Sequence, residues 1–288
     1  MRRNPRPGSS LRRRILALGA LVAAAALAGP ATPASAADAD CALSPTGGTV
    51  TKPLDGRSYE LHVPAGLTGS NVPLLLSLHG FGSAGWQDEL STGWSGFADA
   101  HNFIVAYPNG LPATGFGAWD PYTETSPDVP FLRHVVDDVS AQYCVDPARV
   151  HVDGWSNGAV MSQRVACEAA DTFASVTSYA GGTPTLAGAA APCEPSRPIS
   201  VGLIVGQFDF TFAGLAQNAG EWRDYNDCSQ AAVHSTDAYG STDRYSCAAG
   251  TELMTRVVGL TWHNWPSGAR GEDQRSRMWA FFQANLLP

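Results

Sequence analysis

The sequence is short of positive charge. It contains one lysine, Lys52, and 18 basic residues in all against 26 acidic ones. Residues 1–36 hold six of the basic residues and none of the acids, so residues 37–288 carry a formal net charge of −14. A chain this acidic offers no electrostatic surface for nucleic acid or anionic lipid. We therefore expect neither nucleic acid nor a membrane among its partners.

Long apolar runs are missing beyond the N-terminus. Residues 15–29 form a continuous run rich in Ala and Leu, which arginines precede and the small-residue triplet Ala34-Ser35-Ala36 follows. This order is typical of a cleaved signal peptide, and the run is too short to span a bilayer comfortably. We predict a signal peptide over residues 1–36 and a secreted chain over residues 37–288, with the export route left open.

Metal-binding cysteine patterns are also missing. The six cysteines form no Cys-x-x-Cys motif and no Cys/His cluster with zinc spacing, so we predict neither a metal nor another cofactor. An even number of cysteines in an exported chain indicates disulfides instead. The expected pairs are Cys228–Cys247, which bracket one polar segment, then Cys167–Cys193 and Cys41–Cys144.

Apolar segments alternate with helical ones along the rest of the chain. The predicted strands are 57–64, 72–78, 103–107, 149–152, 174–180, 199–205 and 253–260. The predicted helices are 94–101, 131–143, 159–170 and 272–287. Continuous apolar strands that alternate with helices indicate a mostly parallel sheet covered on both faces, an α/β fold in one domain. Residues 111–130 and 208–250 are predicted to be irregular.

Gly154-Trp155-Ser156-Asn157-Gly158 is a Gly-x-Ser-x-Gly motif between a predicted strand and a predicted helix. In that context the motif is typical of a nucleophile elbow, a turn so tight that side chains two residues either side of the serine would collide. The serine lies at a helix N-terminus, whose dipole favours negative charge. We predict that Ser156 is a nucleophile; the alternative is an ordinary serine in a glycine-rich turn.

A second glycine-rich segment, residues 79–85, follows the predicted strand at 72–78. It matches the Gly-x-Gly-x-x-Gly pattern of dinucleotide sites, but the next strand ends in Pro108-Asn109 rather than in a ribose-binding acid. An oxyanion loop fits better, with the backbone N–H groups of Phe81 and Asn157 as donors. His79 is then expected to hold this loop from beneath rather than to act as a base.

Chain order narrows the choice of base and acid, because both follow the serine in such a fold. Only His234 and His263 lie beyond Ser156, and only His263 directly follows a predicted strand. The same criterion favours Asp209, which comes just after the strand at 199–205. We predict a triad in which Asp209 orients the imidazole of His263 and stabilises the imidazolium that forms when the serine loses its proton.

Four segments carry a family resemblance: Leu-His-Gly-Phe-Gly at 78–82, Tyr-Cys-Val-Asp-Pro-Ala-Arg-Val at 143–150, the Gly-x-Ser-x-Gly motif, and Trp-His-Asn-Trp-Pro at 262–266. They resemble the exported α/β-hydrolase esterases of the polyhydroxybutyrate depolymerase and feruloyl esterase group. The resemblance runs from about residue 56 to the C-terminus and implies the same triad. Two positions depart from the family: the family's His-Gly-Thr-x-Asp is Val-Gly-Gln-Phe-Asp at 205–209, and Trp262 replaces a glycine. Both changes add bulk beside the site.

The resemblance implies two substrates, feruloyl (hydroxycinnamoyl) esters of plant cell-wall polysaccharide and poly(3-hydroxybutyrate). Several aromatic residues could line an aromatic pocket, although each could equally belong to the core: Trp119, Phe208, Phe210, Trp262 and Trp265. No appended binding domain follows the last predicted helix, which favours the feruloyl esterase. We expect a monomer. A catalytically silent carbohydrate-binding module is a remote alternative, and whether residues 111–130 form a lid stays open.

Overall fold

The segment Val72–Leu78, which is apolar except for Ser77, forms a strand in which every residue is buried. Its side chains alternate between two cores: Leu74, Leu76 and Leu78 pack in one, and Leu75 packs in the other. A strand that is apolar on both faces has to lie inside the sheet with both faces covered. The rest of the fold is arranged on either side of this strand.

The computed structural model describes residues 47–113, 116–183 and 193–288. The strands within these ranges, numbered in chain order, are β1 Gly48–Leu54, β2 Arg57–Val63, β3 Val72–Leu78, β4 Ile104–Pro108, β5 Leu111–Ala113, β6 Phe116–Ala118, β7 Val145–Gly154, β8 Ser175–Tyr179, β9 Ser200–Gly206, β10 Val233–Asp237, β11 Gly240–Ser246 and β12 Glu252–Val258. The helices are α1 Gly85–Thr92, α2 Trp94–His101, α3 Asp128–Gln142, α4 Asn157–Glu168, α5 Leu215–Tyr225 and α6 Gly268–Ala284.

Ten of these strands form one sheet, in the order β1-β2-β4-β3-β7-β8-β9-β12-β11-β10. The middle of the sheet, from β4 to β12, is parallel, and antiparallel strands complete it at both ends. Helices α3, α4 and α5 supply Leu132, Met161 and Trp222 to the core that contains Leu74. Helices α2 and α6 supply Trp94 and Phe282 to the other core. The predicted α/β fold, with helices on both faces of a mostly parallel sheet, is confirmed.

The predictions for two irregular segments were wrong. The segment 111–130 contains the short hairpin β5–β6 and the first turn of α3. The segment 208–250 contains α5 and the hairpin β10–β11, which pairs with β12. Helix α5 is mostly polar, and it buries a narrow stripe that includes Ala219 and Trp222. Strand β10 is exposed along its whole length, so neither element shows the strong apolar pattern on which the prediction relied.

Two of the three predicted disulfides are confirmed: Cys167–Cys193 and Cys228–Cys247. The third prediction involves Cys41, which lies outside the described residues, as does the predicted signal peptide. The described residues all fall within one compact unit, Asp40–Pro288.

None of the helices in the described ranges is both long and apolar enough to cross a membrane.

Candidate active site

Ser156 lies on a two-residue turn between the end of β7 and the start of α4. Its backbone has φ 57° and ψ −116°, a positive-φ conformation that residues with a side chain rarely adopt. Its N–H donates to the carbonyl oxygen of Tyr179 on β8 at 2.9 Å, and the N–H of Trp155 donates to that of Leu78 on β3 at 3.1 Å. The two neighbouring strands thus hold the strained turn in place.

The two glycines of the motif are required by close backbone approach. A Cβ at Gly154 would lie 2.2 Å from the carbonyl oxygen of Gly158, and a Cβ at Gly158 would lie 2.0 Å from the carbonyl oxygen of Leu78. Both distances are far below van der Waals contact, so any side chain would force the backbone apart. The tight strand-to-helix turn predicted from the motif is therefore what the chain forms.

Three polar side chains meet at the carboxyl ends of the strands. Nε2 of His263 lies 2.9 Å from Oγ of Ser156, and Nδ1 of His263 lies 2.9 and 3.0 Å from the two carboxylate oxygens of Asp209. Asp209 follows β9 and His263 follows β12, and these strands are paired in parallel. The structure thus brings together the three residues predicted as a triad. His234, the other candidate, lies on the exposed edge strand β10 and pairs with Asp243.

The hydrogen-bond partners define the tautomer of His263. An ionised carboxylate only accepts, so Nδ1 carries the proton and donates to Asp209, which leaves Nε2 to accept from the Ser156 hydroxyl. The side chain of Asp209 is fully buried, whereas that of His263 is partly exposed. An imidazole in this tautomer can take the serine proton, and the buried carboxylate can stabilise the imidazolium that results.

The loop after β3 lies directly against the turn that carries Ser156. A Cβ at Gly80 would lie 3.1 Å from the ring of Trp155 and 3.5 Å from Cβ of Ser156. The N–H of Gly82 donates to the carbonyl oxygen of Gly117 at 2.8 Å, which ties the loop to the β5–β6 hairpin. Within the described residues, the N–H groups of Phe81 and Asn157 donate no hydrogen bond to the protein itself. The loop at Phe81 and the turn at Asn157 therefore each leave one backbone donor without a protein partner.

His79 is buried beneath this loop and forms two hydrogen bonds to the backbone. Its Nε2 accepts from the N–H of Gly110 at 3.0 Å, so Nδ1 carries the proton and donates to the carbonyl oxygen of Gly80 at 2.8 Å. Burial lowers the pKa of His79 because it penalises the charged form. A neutral imidazole with both nitrogens engaged supports the loop, in agreement with the structural role predicted for it.

Asn157 anchors a third segment to the turn. Its Oδ1 accepts from the N–H of Trp119 at 2.8 Å, and its Nδ2 donates to the carbonyl oxygen of Trp119 at 3.2 Å. The indole of Trp119 in turn donates to the carbonyl oxygen of His79 at 2.9 Å. The residue after the serine therefore clamps the segment that follows β6 through its side chain. The motif gives no indication of this role.

The aromatic residues predicted near the substrate divide into two groups. Phe208, Phe210 and Trp262 are 45, 76 and 65% exposed, and the rings of Phe208 and Trp262 are 5.1 Å apart. Trp119 and Trp265 are buried. Their prediction as substrate-contacting residues is not supported, because both pack inside the protein: Trp119 under the loop at His79 and Trp265 against Tyr179.

Sequence reasoning missed Thr211. Its N–H and its hydroxyl each donate to Oδ1 of Asp209, both at 2.8 Å. An Asp followed two residues later by Thr is a common local turn, in which the aspartate side chain accepts from the backbone two residues ahead. That signal was present at 209–211.

In the described part of the chain, no three metal-ligating side chains lie close enough together to hold a metal ion.

Comparison with known proteins gives consistent matches. Residues 57–193 match the family model described as esterase PHB depolymerase. The chain is 27% identical over 254 residues to feruloyl esterase B of Piromyces equi, covering 81% of this chain and 46% of that protein. It is 34% identical over 127 residues to poly(3-hydroxyalkanoate) depolymerase C of Paucimonas lemoignei, covering 42% of this chain and 30% of that protein. The chain thus spans less than half the length of either relative.

The fold is also similar to that of a solved structure, the acetyl xylan esterase from Aspergillus awamori. The TM-score is 0.66 at 16% identity, over 82% of this chain and 98% of that chain. The sheet topology, the turn at Ser156 and this likeness define the class of protein: the chain has the α/β-hydrolase fold. Within that class it is similar to the esterase group that includes feruloyl esterases and polyhydroxybutyrate depolymerases, which confirms the resemblance drawn from the sequence.

Proposed function

We propose that the chain is a serine carboxylesterase that works through an acyl-enzyme on Ser156. The observation that carries this proposal is the continuous hydrogen-bonded chain from Ser156 Oγ through the imidazole of His263 to the buried carboxylate of Asp209. A silent binding module would have no need for a strained serine at the end of such a chain. The geometry favours catalysis because every group is within hydrogen-bond distance before substrate binds.

In the acylation step, Oγ of Ser156 attacks the ester carbonyl carbon while Nε2 of His263 takes the hydroxyl proton. The tetrahedral intermediate collapses, the bond to the alcohol oxygen breaks, and His263 returns its proton to the leaving alkoxide. In deacylation, a water molecule gives a proton to Nε2 of His263 and attacks the acyl carbon. The bond from that carbon to Oγ of Ser156 then breaks, His263 returns the proton to Oγ, and the acid is released. Asp209 remains ionised and stabilises the imidazolium in both steps.

The negative oxygen of each intermediate needs donors, and the two free N–H groups of Phe81 and Asn157 are the candidates. Both belong to backbone that is already fixed, by the Gly82–Gly117 hydrogen bond and by the N-terminus of α4. Donors that are fixed in advance lose no orientational freedom during the reaction. Each such donor contributes about 3 kcal/mol to transition-state stabilisation in related chemistry.

We infer that the acyl group is aromatic, as in feruloyl esters of plant cell-wall polysaccharide. The pair Phe208–Trp262 supports this, because each ring precedes a residue of the triad and both rings are exposed at the site. Offset or edge contacts with such rings favour a flat acyl group. The relative from Piromyces equi is a feruloyl esterase.

A second candidate is a polyhydroxyalkanoate depolymerase. The family model and the Paucimonas lemoignei relative both carry that name. The exposed ring of Phe81 favours it as well, because its loop lies against the Ser156 turn while the exposed rings of Phe208, Phe210 and Trp262 flank Asp209 and His263. An aliphatic polyester chain could lie along such a surface.

We also propose that the protein is secreted and works as a monomer after removal of residues 1–36. The two disulfides of the described chain support export, because disulfides persist in oxidising compartments. N-terminal sequencing of protein recovered from the culture medium tests this, and a mature start at Ala37 is expected. Light scattering of the same sample gives its oligomeric state.

The decisive experiment is product release by the purified chain from methyl ferulate and from amorphous poly(3-hydroxybutyrate), with p-nitrophenyl acetate as a general ester. Ferulate release without clearing of the polymer supports the feruloyl esterase. Clearing without ferulate release supports the depolymerase. No turnover of any ester, or full turnover by the Ser156→Ala variant, would refute the esterase proposal.

A further inference from the structure

The ring of Phe210 lies against the imidazole of His263. Their ring centroids are 4.2 Å apart and the planes are tilted by 36°. The other aromatic neighbour of this imidazole in the described chain, Trp155, is more distant, with centroids 5.9 Å apart. Among the residues that the structure describes, Phe210 is therefore the aromatic side chain in closest contact with His263.

This contact does not come from core packing. Phe210 is 76% exposed, so hydrophobic burial does little to hold its ring where it is. Its position is fixed by the backbone instead, because Phe210 stands between Asp209 and Thr211 and Thr211 is hydrogen-bonded twice to the Asp209 carboxylate. The loop that places Asp209 beside His263 thus also places the ring of Phe210 against the imidazole.

We propose that Phe210 is a positioning residue that stabilises the protonated form of His263 during turnover, an inference that rests on the proposed esterase mechanism. In that mechanism His263 becomes a cation in acylation and again in deacylation. A cation within about 6 Å of an aromatic ring is attracted by the ring's quadrupole, and the contact contributes most when the cation is partly shielded from water. The ring also restricts the imidazole to the orientation that serves both Asp209 and Ser156.

Other groups around His263 also contribute to the electrostatic environment of its imidazole. Asp209 is the ionised group in contact with the imidazole, and the Ser156 hydroxyl is the neutral one. Tyr179 packs nearby on β8 and interacts electrostatically with both Asp209 and Arg270, and burial raises the pKa of Tyr179 far above the neutral range. None of these groups changes when Phe210 is replaced, so a change in the pH profile reports on the ring.

The test compares Phe210→Leu, which keeps an apolar side chain without a π face, with Phe210→Trp, which keeps an aromatic one. The matched control is Phe212→Leu, since Phe212 is an exposed aromatic residue of the same loop with no described ring contact to His263. The readout is kcat/KM for p-nitrophenyl acetate from pH 5 to 9. We expect Phe210→Leu to lower the plateau about two- to fivefold and to move the midpoint of the acid limb down by about half a pH unit. Phe210→Trp and Phe212→Leu should keep the native midpoint.

A second measurement does not depend on activity. In the Ser156→Ala background, the titration of His263 is followed by NMR with and without Phe210→Leu. The midpoint should be lower in the Leu variant, because the protonated form has lost the ring. If Phe210→Leu matches the native protein in both measurements, or if Leu and Trp are equally impaired, the inference is overturned. If the native chain cleaves no ester but the NMR midpoint still shifts, the proposed function fails and the contact between Phe210 and the imidazolium stands.

Discussion

Thr211 donates two hydrogen bonds to a single oxygen of Asp209, one from its N–H and one from its hydroxyl, both at 2.8 Å. The same carboxylate accepts from Nδ1 of His263 through both of its oxygens. Thr211 therefore fixes the side-chain rotation of the carboxylate to which His263 donates. The orientation of the His263 imidazole therefore depends on a residue whose N–H and hydroxyl both donate to Asp209 rather than to Ser156.

Replacing Thr211 with Val should lower kcat/KM about tenfold, because a hydrogen bond to a charged group contributes about 1.5 kcal/mol or more. Val keeps the shape and the backbone N–H and removes the hydroxyl alone. The measurement is steady-state hydrolysis of p-nitrophenyl acetate. Thr211→Ser, which restores the hydroxyl, should recover most of the rate, and a Val variant as active as the native protein would contradict this role.

The backbone conformation of Ser156 should lower the stability of the folded protein. Its φ of 57° and ψ of −116° resemble the first central residue of a type II′ turn, a position that glycine prefers. Ser156→Gly is therefore expected to be more stable than Ser156→Ala by about 1 kcal/mol, since only Ala retains the steric cost of the positive φ. Urea denaturation of both inactive variants measures the difference. Equal midpoints would show that the turn stores no strain.

Two glycines in different surroundings should respond oppositely to the same change. Gly158→Ala places a Cβ where the backbone of Leu78 already lies, so we expect a loss of at least about 3 kcal/mol in the free energy of unfolding, or failure to fold. Gly96→Ala lies in α2, where a Cβ meets nothing within 4 Å, and should stabilise the protein by about 0.5–1 kcal/mol. Thermal denaturation compares the two. A Gly158→Ala variant as stable as the native protein would contradict the close approach at the turn.

Two buried carboxyl groups that the proposed mechanism does not use predict how stability depends on pH. Burial raises the pKa of Asp88 to about 7, and burial together with the charge of Asp88 raises the pKa of Asp153 to about 8. Both would titrate near 4 in the unfolded chain. Between these values the folded protein holds protons that the unfolded chain has released, so the free energy of unfolding should fall as pH rises through about 8.

The variant Asp153→Asn tests this, because its amide oxygen can still accept from the indole N–H of Trp94, as Asp153 does at 2.9 Å. We expect the native protein to lose on the order of 2 kcal/mol between pH 5 and pH 9 beyond any loss in the variant. Urea denaturation at the two pH values gives both numbers. Parallel pH dependences for the two proteins would argue against a proton held by these acids.

The parallel part of the sheet could be predicted because its strands are buried on both faces and leave uninterrupted apolar runs. The strand at 72–78 has the predicted bounds, and the other parallel strands differ from the predicted bounds by a few residues. The grouping of Asp209 and His263 with Ser156 was predicted for a related reason. Chain order and the ends of parallel strands leave few positions from which a histidine and an acid can reach the serine.

The features that were not predicted are those that tertiary contacts hold in place and that leave no local pattern in the sequence. Strand β10 is exposed and is held in place by pairing with β11. Helix α5 buries only a narrow stripe of side chains, so its apolar pattern is weak. Trp119 was predicted at the substrate because it is aromatic and lies in a long segment. Its burial follows from hydrogen bonds to Asn157 and His79, which no local pattern encodes.

The disulfide Cys228–Cys247 lies between the two residues that serve Ser156, since Asp209 precedes it and His263 follows it. A protease that cuts the chain anywhere between these cysteines would leave one covalently joined molecule. The hydrogen bonds from Ser229 to Ser246 and from Ala248 to Asn226 would still align the two ends. Nicking in the β10–β11 hairpin should therefore leave Asp209 and His263 in register, so that a cut chain keeps the arrangement of the intact one.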